Sequence, residues 1–403
     1  MYRKIAFDSV RKQIRLWTWN EQGERILKLI PFTPYLYVEC SDRDKNATSI
    51  FKTPLKKLDF PNSWERRQWV ENTANNRIFY NLSPEQQFLI DTFHQTSDDV
   101  NFSQFPLKVG IIDIEVYCKD GFPHAEEARH IINSITIYDS LSKKYHVFGL
   151  KKDFDTSKFS DVIYYKCEKE TILLKKFIEH LESEDYDLIT GWNSSNFDIP
   201  YLHNRILSLL GPEWVNRISP TGRCYSVNKK DKFGKMKTVY EFKPLVHLDY
   251  IELYRYFKMG EKESYSLEFI AQEELGRGKK KYEGSLTDLA DNDWQSFVEY
   301  NLEDVRLHVE IDAKNKLIEL ARLICYKGLC DFSNALGKVT VTTGCVAIQA
   351  MRDGLIIPTF KSNGGKEDYV GGAVFEPRSG RMSDIVSFDA NSLYPSVMMS
   401  LNI

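Results

Sequence analysis

A mixed α/β fold built on one central sheet, preceded by a smaller mixed α+β region, is the architecture that this sequence predicts from three observations. Val109-Gly110-Ile111-Ile112-Asp113-Ile114-Glu115-Val116 is a nearly continuous apolar run rich in β-branched residues, as expected of a buried strand. Strand-like stretches at Ser134–Tyr138 and Tyr145–Phe148 then alternate with helical spacing of apolar residues over Thr171–Glu184 and Pro200–Leu210. Helical sequence resumes at Asp249 and dominates through about Leu355.

Taken in order, residues 1 to about 107 read as short strands and helices. Leu16–Trp19 and Tyr35–Val38 are β-rich, Pro31 and Pro34 punctuate the approach, and Ser83-Pro84-Glu85 begins a helix. The character changes near Pro106, where the buried strand begins. Cys224–Phe242 reads as a hairpin with Lys229–Lys235 in its turn. From Tyr369 the sequence returns to strand, and Val386–Ile403 reads as an apolar strand that aggregates unless covered.

A chain of 403 residues accommodates two or three domains. The net charge of −3 does not advertise a nucleic-acid binder, so any nucleic-acid path must rely on local basic patches. No segment reaches the roughly 18 consecutive apolar residues of a membrane span, and Met1–Lys4 leads straight into alternating sequence rather than a leader's apolar stretch. A cytoplasmic protein is expected. Seven cysteines (Cys40, Cys118, Cys167, Cys224, Cys325, Cys330, Cys345) form no CxxC pair, which argues against a zinc site and a disulfide scaffold and for reduced, mostly buried thiols.

Chemistry concentrates on acids. Asp113 and Glu115 are two apart in a strand, so both project from one face among apolar neighbours. Like charges on a buried face raise each other's pKa and need a partner, for which divalent cations are the usual remedy; a solvated strand-edge pair is the plainer alternative. Tyr186–Asn193 reads as a strand ending in a loop, and Asn193-Ser194-Ser195-Asn196-Phe197-Asp198 opens a helix with Pro200 in its first turn. Asp198 is either an ordinary helix cap or part of a site at the C-terminal end of a strand, where ligands of α/β sheets bind. Tyr300 and Asp304, four apart, share a helix face.

In this order and spacing, DxE, N-x₃-F-D and Y-x₃-D resemble the exonuclease motifs of the DEDD superfamily in its tyrosine-bearing form. The surrounding words, Asp113–Val116 with Asp120–Pro123, Ile189–Asn193, Ser264–Leu267 and Tyr282–Gly284, resemble family B DNA polymerases of T-even-type bacteriophages, and the resemblance extends over essentially the whole chain. It implies an RNase H-like 3′→5′ exonuclease domain over residues 108–329. It also implies an N-terminal domain of residues 1–107 completed by about 330–368, and the first strand of a polymerase palm over 369–403. Asp113, Glu115, Asp198 and Asp304 would hold two Mg²⁺ or Mn²⁺ ions that clamp the attacking and leaving oxygens of an in-line displacement. Tyr300, whose phenol is a poor base at neutral pH, would orient the attacking water.

Ser387-Phe388-Asp389-Ala390-Asn391-Ser392-Leu393-Tyr394-Pro395-Ser396 resembles the family's D-x-x-S-L-Y-P-S motif. The resemblance makes Asp389 a metal ligand, with Ser392 and Leu393 facing the nucleoside triphosphate and Tyr394 under its sugar. Tyr369, Gly371 and Gly372 match its template-contacting YxGG element. The fingers, the second palm motif and the thumb do not follow before Ile403. Polymerisation is therefore expected to need a second polypeptide, unless the sequence is a fragment.

DNA primer-template and single-stranded 3′ ends are the expected partners. Asn193, Phe197 and Phe122 would meet the primer end, and Lys279 and Lys281, interleaved with Tyr282, suit phosphate contact and stacking. The lysine-rich hairpin resembles the family's strand-separating hairpin. A catalytically idle DNA-binding or assembly subunit is the alternative from another class. An RNA-directed exonuclease of the same superfamily ranks behind both.

Overall fold

The computed structural model describes residues 1–73, 77–96, 102–119, 121–230, 236–282 and 284–359, together with 375–376, 379–386, 388 and 392–402. Two compact units emerge, Met1–Thr359 and Phe360–Ile403.

The first unit begins with the antiparallel sheet β1 (Tyr2–Asp8), β2 (Gln13–Trp19) and β3 (Arg25–Pro31). A second sheet, in the order β5-β6-β4-β7, joins β4 (Tyr35–Glu39), β5 (Ala47–Thr48), β6 (Pro54–Asp59) and β7 (Ile78–Phe79). Helix α1 (Ser63–Asn72) lies between β6 and β7 in sequence. Helix α2 (Pro84–Phe93) starts where expected, with Ser83 accepting from the Gln86 amide and proline in the first turn. Residues 356–358 return to this region, Ser49 bridging to Ile356 and Phe79 to Pro358.

The central sheet has six strands among the described residues, in the order β11-β10-β9-β8-β12-β15. They are β8 (Val109–Tyr117), β9 (Ile131–Asp139), β10 (Lys144–Leu150), β11 (Val162–Cys167), β12 (Leu188–Gly191) and β15 (Val246–Asp249), while β13 (Tyr225–Lys230) and β14 (Met236–Glu241) form the separate hairpin. Pairing is antiparallel through β8-β9-β10 and parallel for β10-β11, β8-β12 and β12-β15, a large mixed sheet.

Both faces of this sheet are covered, which explains the unbroken apolar run in β8. Ile112 and Ile114 pack with α3 (Glu170–Glu184) and α4 (Asp198–Leu210) through Leu173, Phe177, Ile199 and Leu202. Val109 and Ile111 turn to the opposite face, in one core with Phe297, Leu302 and Val305. These belong to the long helix α9 (Trp294–Asn315). Strand periodicity therefore sends Asp113 and Glu115 toward α9. The remaining helices of this unit are α5 (Pro212–Arg217), α6 (Tyr250–Phe257), α7 (Leu267–Leu275), α8 (Leu286–Asn292), α10 (Leu317–Lys327) and α11 (Lys338–Arg352). No helix among the described residues is long and apolar enough to cross a membrane.

A buried ion cluster ties the first sheet to the central one. Arg3 and Lys4, each 1% exposed, reach from β1 to the turn between α3 and β12. Arg3 contacts Asp187 at 2.7 Å and Asp185 at 3.2 Å, Arg25 reaches Asp187 at 3.0 Å, and Lys4 pairs with Asp185. Asp187 also accepts from the Lys108 amide at 2.9 Å.

The second unit departs from expectation. Leu393–Leu401 is a helix, α12, rather than part of an apolar strand. Pro395 explains the start: as the third helical residue it falls where the amide needs no intrahelical partner, and leucine and methionine then favour helix. The expected first palm strand is not found among the described residues of this unit. None of the seven cysteines forms a disulfide, but only Cys167, Cys325 and Cys330 are buried and Cys345 is exposed, so burial is less general than composition suggests.

Removing one member of the buried cluster strands its partners. Asp187→Ala should lower the urea unfolding midpoint by the equivalent of about 3–5 kcal/mol. Asp153→Ala, which breaks the exposed Lys166 pair, should stay within about 0.5 kcal/mol. Equal effects of the two would contradict this account.

Candidate active site

Asp113 and Glu115 leave β8 toward α9, and Asp304 meets them from the helix. One carboxylate oxygen from each lies within 4.8 Å of the others. Register helps to set this: Asp113 pairs with Thr136 and Glu115 with Ser134 on β9, and a register shift follows immediately after Glu115.

Asp198 stands beside this group but outside its tightest contact. It is the first residue of α4, 3% exposed, and its Oδ1 accepts from the Ile114 amide at 3.1 Å, anchoring it to the middle of β8. Phe197 occupies the cap position, and Asp198 is the first helical residue rather than the cap itself. The turn before it is held by Asp249, whose carboxylate accepts from the amides of Asn193 and Ser195 at 3.1 and 2.9 Å. Gly191 is required there: a Cβ would sit 2.8 Å from both the Ile112 carbonyl oxygen and the Ser194 Cβ.

Burial raises all four acids, and repulsion within the group adds to it at Asp113 and Glu115. Glu115 is pushed up to about 8 by burial and then by Asp304, and Asp198 to about 7, chiefly by burial. Burial, then Asp198, Glu115 and Asp304, drives Asp113 well above its ordinary value. Asp304 rises as well, burial outweighing the pull of Lys279.

Lys279 does something its sequence context did not reveal. Its ammonium lies 2.6 Å from Asp304 Oδ2 and donates to the Tyr300 hydroxyl at 3.2 Å. It is thus a counter-charge beside the acid group. Arg277 pairs with Glu303 and Glu310, and Lys280 with Glu299, so this loop is strapped to α9 by its own cations. Lys281 is exposed.

Tyr300 is half-buried, with the Tyr282 ring 5.1 Å away edge-on, and burial followed by Asp304 raises its phenol above the ordinary value. Phe122 is 75% exposed and 5.5 Å from the Phe197 ring, which is 5.5 Å from Tyr201. Asn193 is exposed in the left-handed region, φ 63°, with its side-chain oxygen accepting from Asn196. Asn301, unremarked in the sequence, donates to Asp113 Oδ2 at 2.6 Å. An amide four residues from both Phe297 and Val305, on the apolar side of the helix, was the available signal.

Asp120, Glu283, the hairpin residues 231–235, Tyr369, Gly371, Gly372 and Asp389 lie outside the described residues. In the second unit Ser392 precedes α12 with φ 51°, and Leu393 and Tyr394 are exposed.

The donor set suits a hard divalent cation: carboxylate oxygens converge, and Asp304 Oδ1 is buried without a hydrogen-bond partner.

Residues 80–270 match the sequence profile of "DNA polymerase family B, exonuclease domain", and residues 335–403 that of "DNA polymerase family B". The chain is 27% identical to the DNA-directed DNA polymerase of Escherichia phage RB69 over 95% of its length and 45% of that protein. It is 27% identical to the enzyme of the same name from Enterobacteria phage T4, over 99% of this chain and 46% of the relative. The DNA polymerase delta catalytic subunit of Drosophila melanogaster is 31% identical over 59% of the chain and 22% of the relative. The chain thus spans just under half the length of the two phage relatives.

A carboxyl that binds protons more tightly when folded stabilises the protein fully below its unfolded pKa, about 4, and loses that contribution as pH rises through its native value. For Glu115 that window closes near 8. Buried histidines such as His180 and His308 have lowered pKa values and act in the opposite sense below about 6.5. The comparison is therefore wild type against Glu115→Gln in chelator. The variant's advantage in urea midpoint should grow from pH 5 to pH 9, and added Mn²⁺ should reverse it. A difference that does not change with pH would contradict the like-charge account.

Proposed function

Because the chain belongs to DNA polymerase family B, we propose that its acid group is the centre of a two-metal 3′→5′ proofreading exonuclease, removing 3′-terminal nucleotides of DNA. The single observation that carries this reading is the approach of Asp113, Glu115 and Asp304 within 4.8 Å, with Asp198 and Tyr300 beside them. In this reading the central sheet is an RNase H-like domain over residues 108–329. Residues 1–107 and about 330–368 form the N-terminal domain, and the return of 356–358 to Ser49 and Phe79 supports that division.

Asp113, Glu115, Asp198 and Asp304 would hold two Mg²⁺ or Mn²⁺ ions. What such ions supply when bound is Lewis acidity toward the phosphodiester and neutralisation of charge on the leaving 3′ oxygen. Tyr300 keeps its proton at neutral pH, because its phenol is raised, and so orients a water by hydrogen bonding rather than deprotonating it. Phe122 and Phe197 offer ring faces on which a frayed terminal base stacks. The β13–β14 hairpin serves to part primer from template, with Asn193 and Lys281 as further DNA contacts.

Polymerisation belongs, in this proposal, to the whole protein. Asp389 would be its metal ligand, Ser392, Leu393 and Tyr394 would contact the incoming nucleotide, and Tyr369, Gly371 and Gly372 the template. The host-cell cytoplasm, where phage DNA is copied, is the proposed location.

One observation favours a second reading, an idle DNA-binding or assembly subunit: Lys279 already neutralises Asp304. A 3′-labelled single-stranded DNA oligomer with Mg²⁺ separates the two. The exonuclease reading expects stepwise release of nucleoside monophosphates. Asp304→Ala should cost more than the about 10–100-fold associated with outer partners of a metal site, and Tyr300→Phe should fall within that range. DNA bound and recovered intact by the wild type would support the idle subunit, and an Asp304→Ala protein as fast as wild type would refute the site.

A further inference from the structure

Asn301 is an amide buried where an apolar residue would pack. It is 0% exposed on α9, in a core with Phe297, Leu302 and Val305 as its helix neighbours. Such a group is costly unless every polar atom is paired, and here each is used. The side-chain oxygen accepts from Ser134 Oγ at 3.1 Å and from Thr136 Oγ1. The nitrogen donates to Asp113 Oδ2 at 2.6 Å. Ser134 and Thr136 are the β9 residues registered opposite Glu115 and Asp113, so one strand pair supplies both the acids and the clamp.

The orientation of the amide follows from chemistry. Reversed, it would set an acceptor oxygen against a carboxylate oxygen at the same 2.6 Å, a contact that neither group satisfies while the acid is ionised. A hydroxyl adapts to either role, but the ionised Asp113 carboxylate, the form that holds a cation, only accepts. Two hydroxyls on one end and a carboxylate on the other therefore lock the side chain.

We propose that Asn301, clamped by Ser134 and Thr136, is the positioning residue for Asp113, fixing its carboxylate within the group it forms with Glu115 and Asp304. This rests on the reading of that group as a divalent-cation site. Asn301 is neutral, so it orients Asp113 without competing as a counter-charge, in contrast to Lys279 on Asp304. An outer hydrogen bond of this kind governs ligand orientation, and its loss typically costs about 10–100-fold in metal affinity.

The test is calorimetric titration of the full chain with MnCl₂, with kcat and KM for a single-stranded DNA oligomer alongside. Asn301→Leu should weaken Mn²⁺ about 10–100-fold and lower kcat with KM for DNA unchanged. Thr136→Val is nearly isosteric and leaves Asn301 one hydroxyl, so it should shift Mn²⁺ affinity in the same direction by a smaller factor. Asp113→Ala is the reference for loss of the site. Wild-type Mn²⁺ affinity in a folded Asn301→Leu protein would overturn the proposal, and if that variant does not fold, wild-type affinity in Thr136→Val does so. Retained binding by Asp113→Ala would instead remove the cation site itself, and the positioning role with it.

Discussion

Two acids on the same face of a buried strand cannot both remain charged without a counter-charge, and the surroundings of Asp113 and Glu115 are shaped by that constraint. Strand periodicity directs them to α9, where Asp304 adds to the excess instead of relieving it. Lys279 compensates part of it, and Asp304 Oδ1 is left buried and unpartnered. A fold that needed these acids only for stability would have gained more from apolar residues.

The comparison with Asp185 and Asp187 makes the point within one molecule. Asp187 is also withdrawn from water and Asp185 partly so, yet Arg3, Lys4 and Arg25 surround them. Despite burial, Lys4, Arg3 and Arg25 hold the Asp185 carboxyl below its usual value. At the α9 face the acids move the other way. The first cluster is finished by protein charges and joins two sheets; the second is left short of positive charge, which is the state expected of a site awaiting cations.

Much of this was legible in the sequence. The β-branched run around Asp113 predicted a strand buried on both faces, and the Tyr300–Asp304 spacing predicted a shared helical face. The Lys279–Asp304 pair was not legible, because a long side chain on a loop has no periodicity to say where it points. Asn301 was missed because an amide beside a catalytic-looking tyrosine reads as part of a motif, and its burial depends on β9, far away in sequence. The apolar run ending at Ile403 was read as strand, since a short apolar stretch with β-branched and aromatic residues fits either state and Pro395 resembles a turn as much as a first helical turn. The bridging of Ile356 to Ser49 and of Pro358 to Phe79 is a long-range pairing that no local pattern encodes.

The most direct measurement is anomalous diffraction from crystals of this chain grown with Mn²⁺. The account predicts manganese density among Asp113, Glu115 and Asp304, next to Asp198, with the Lys279 ammonium displaced from Asp304. An acid group without manganese and with the Lys279–Asp304 pair intact would contradict it.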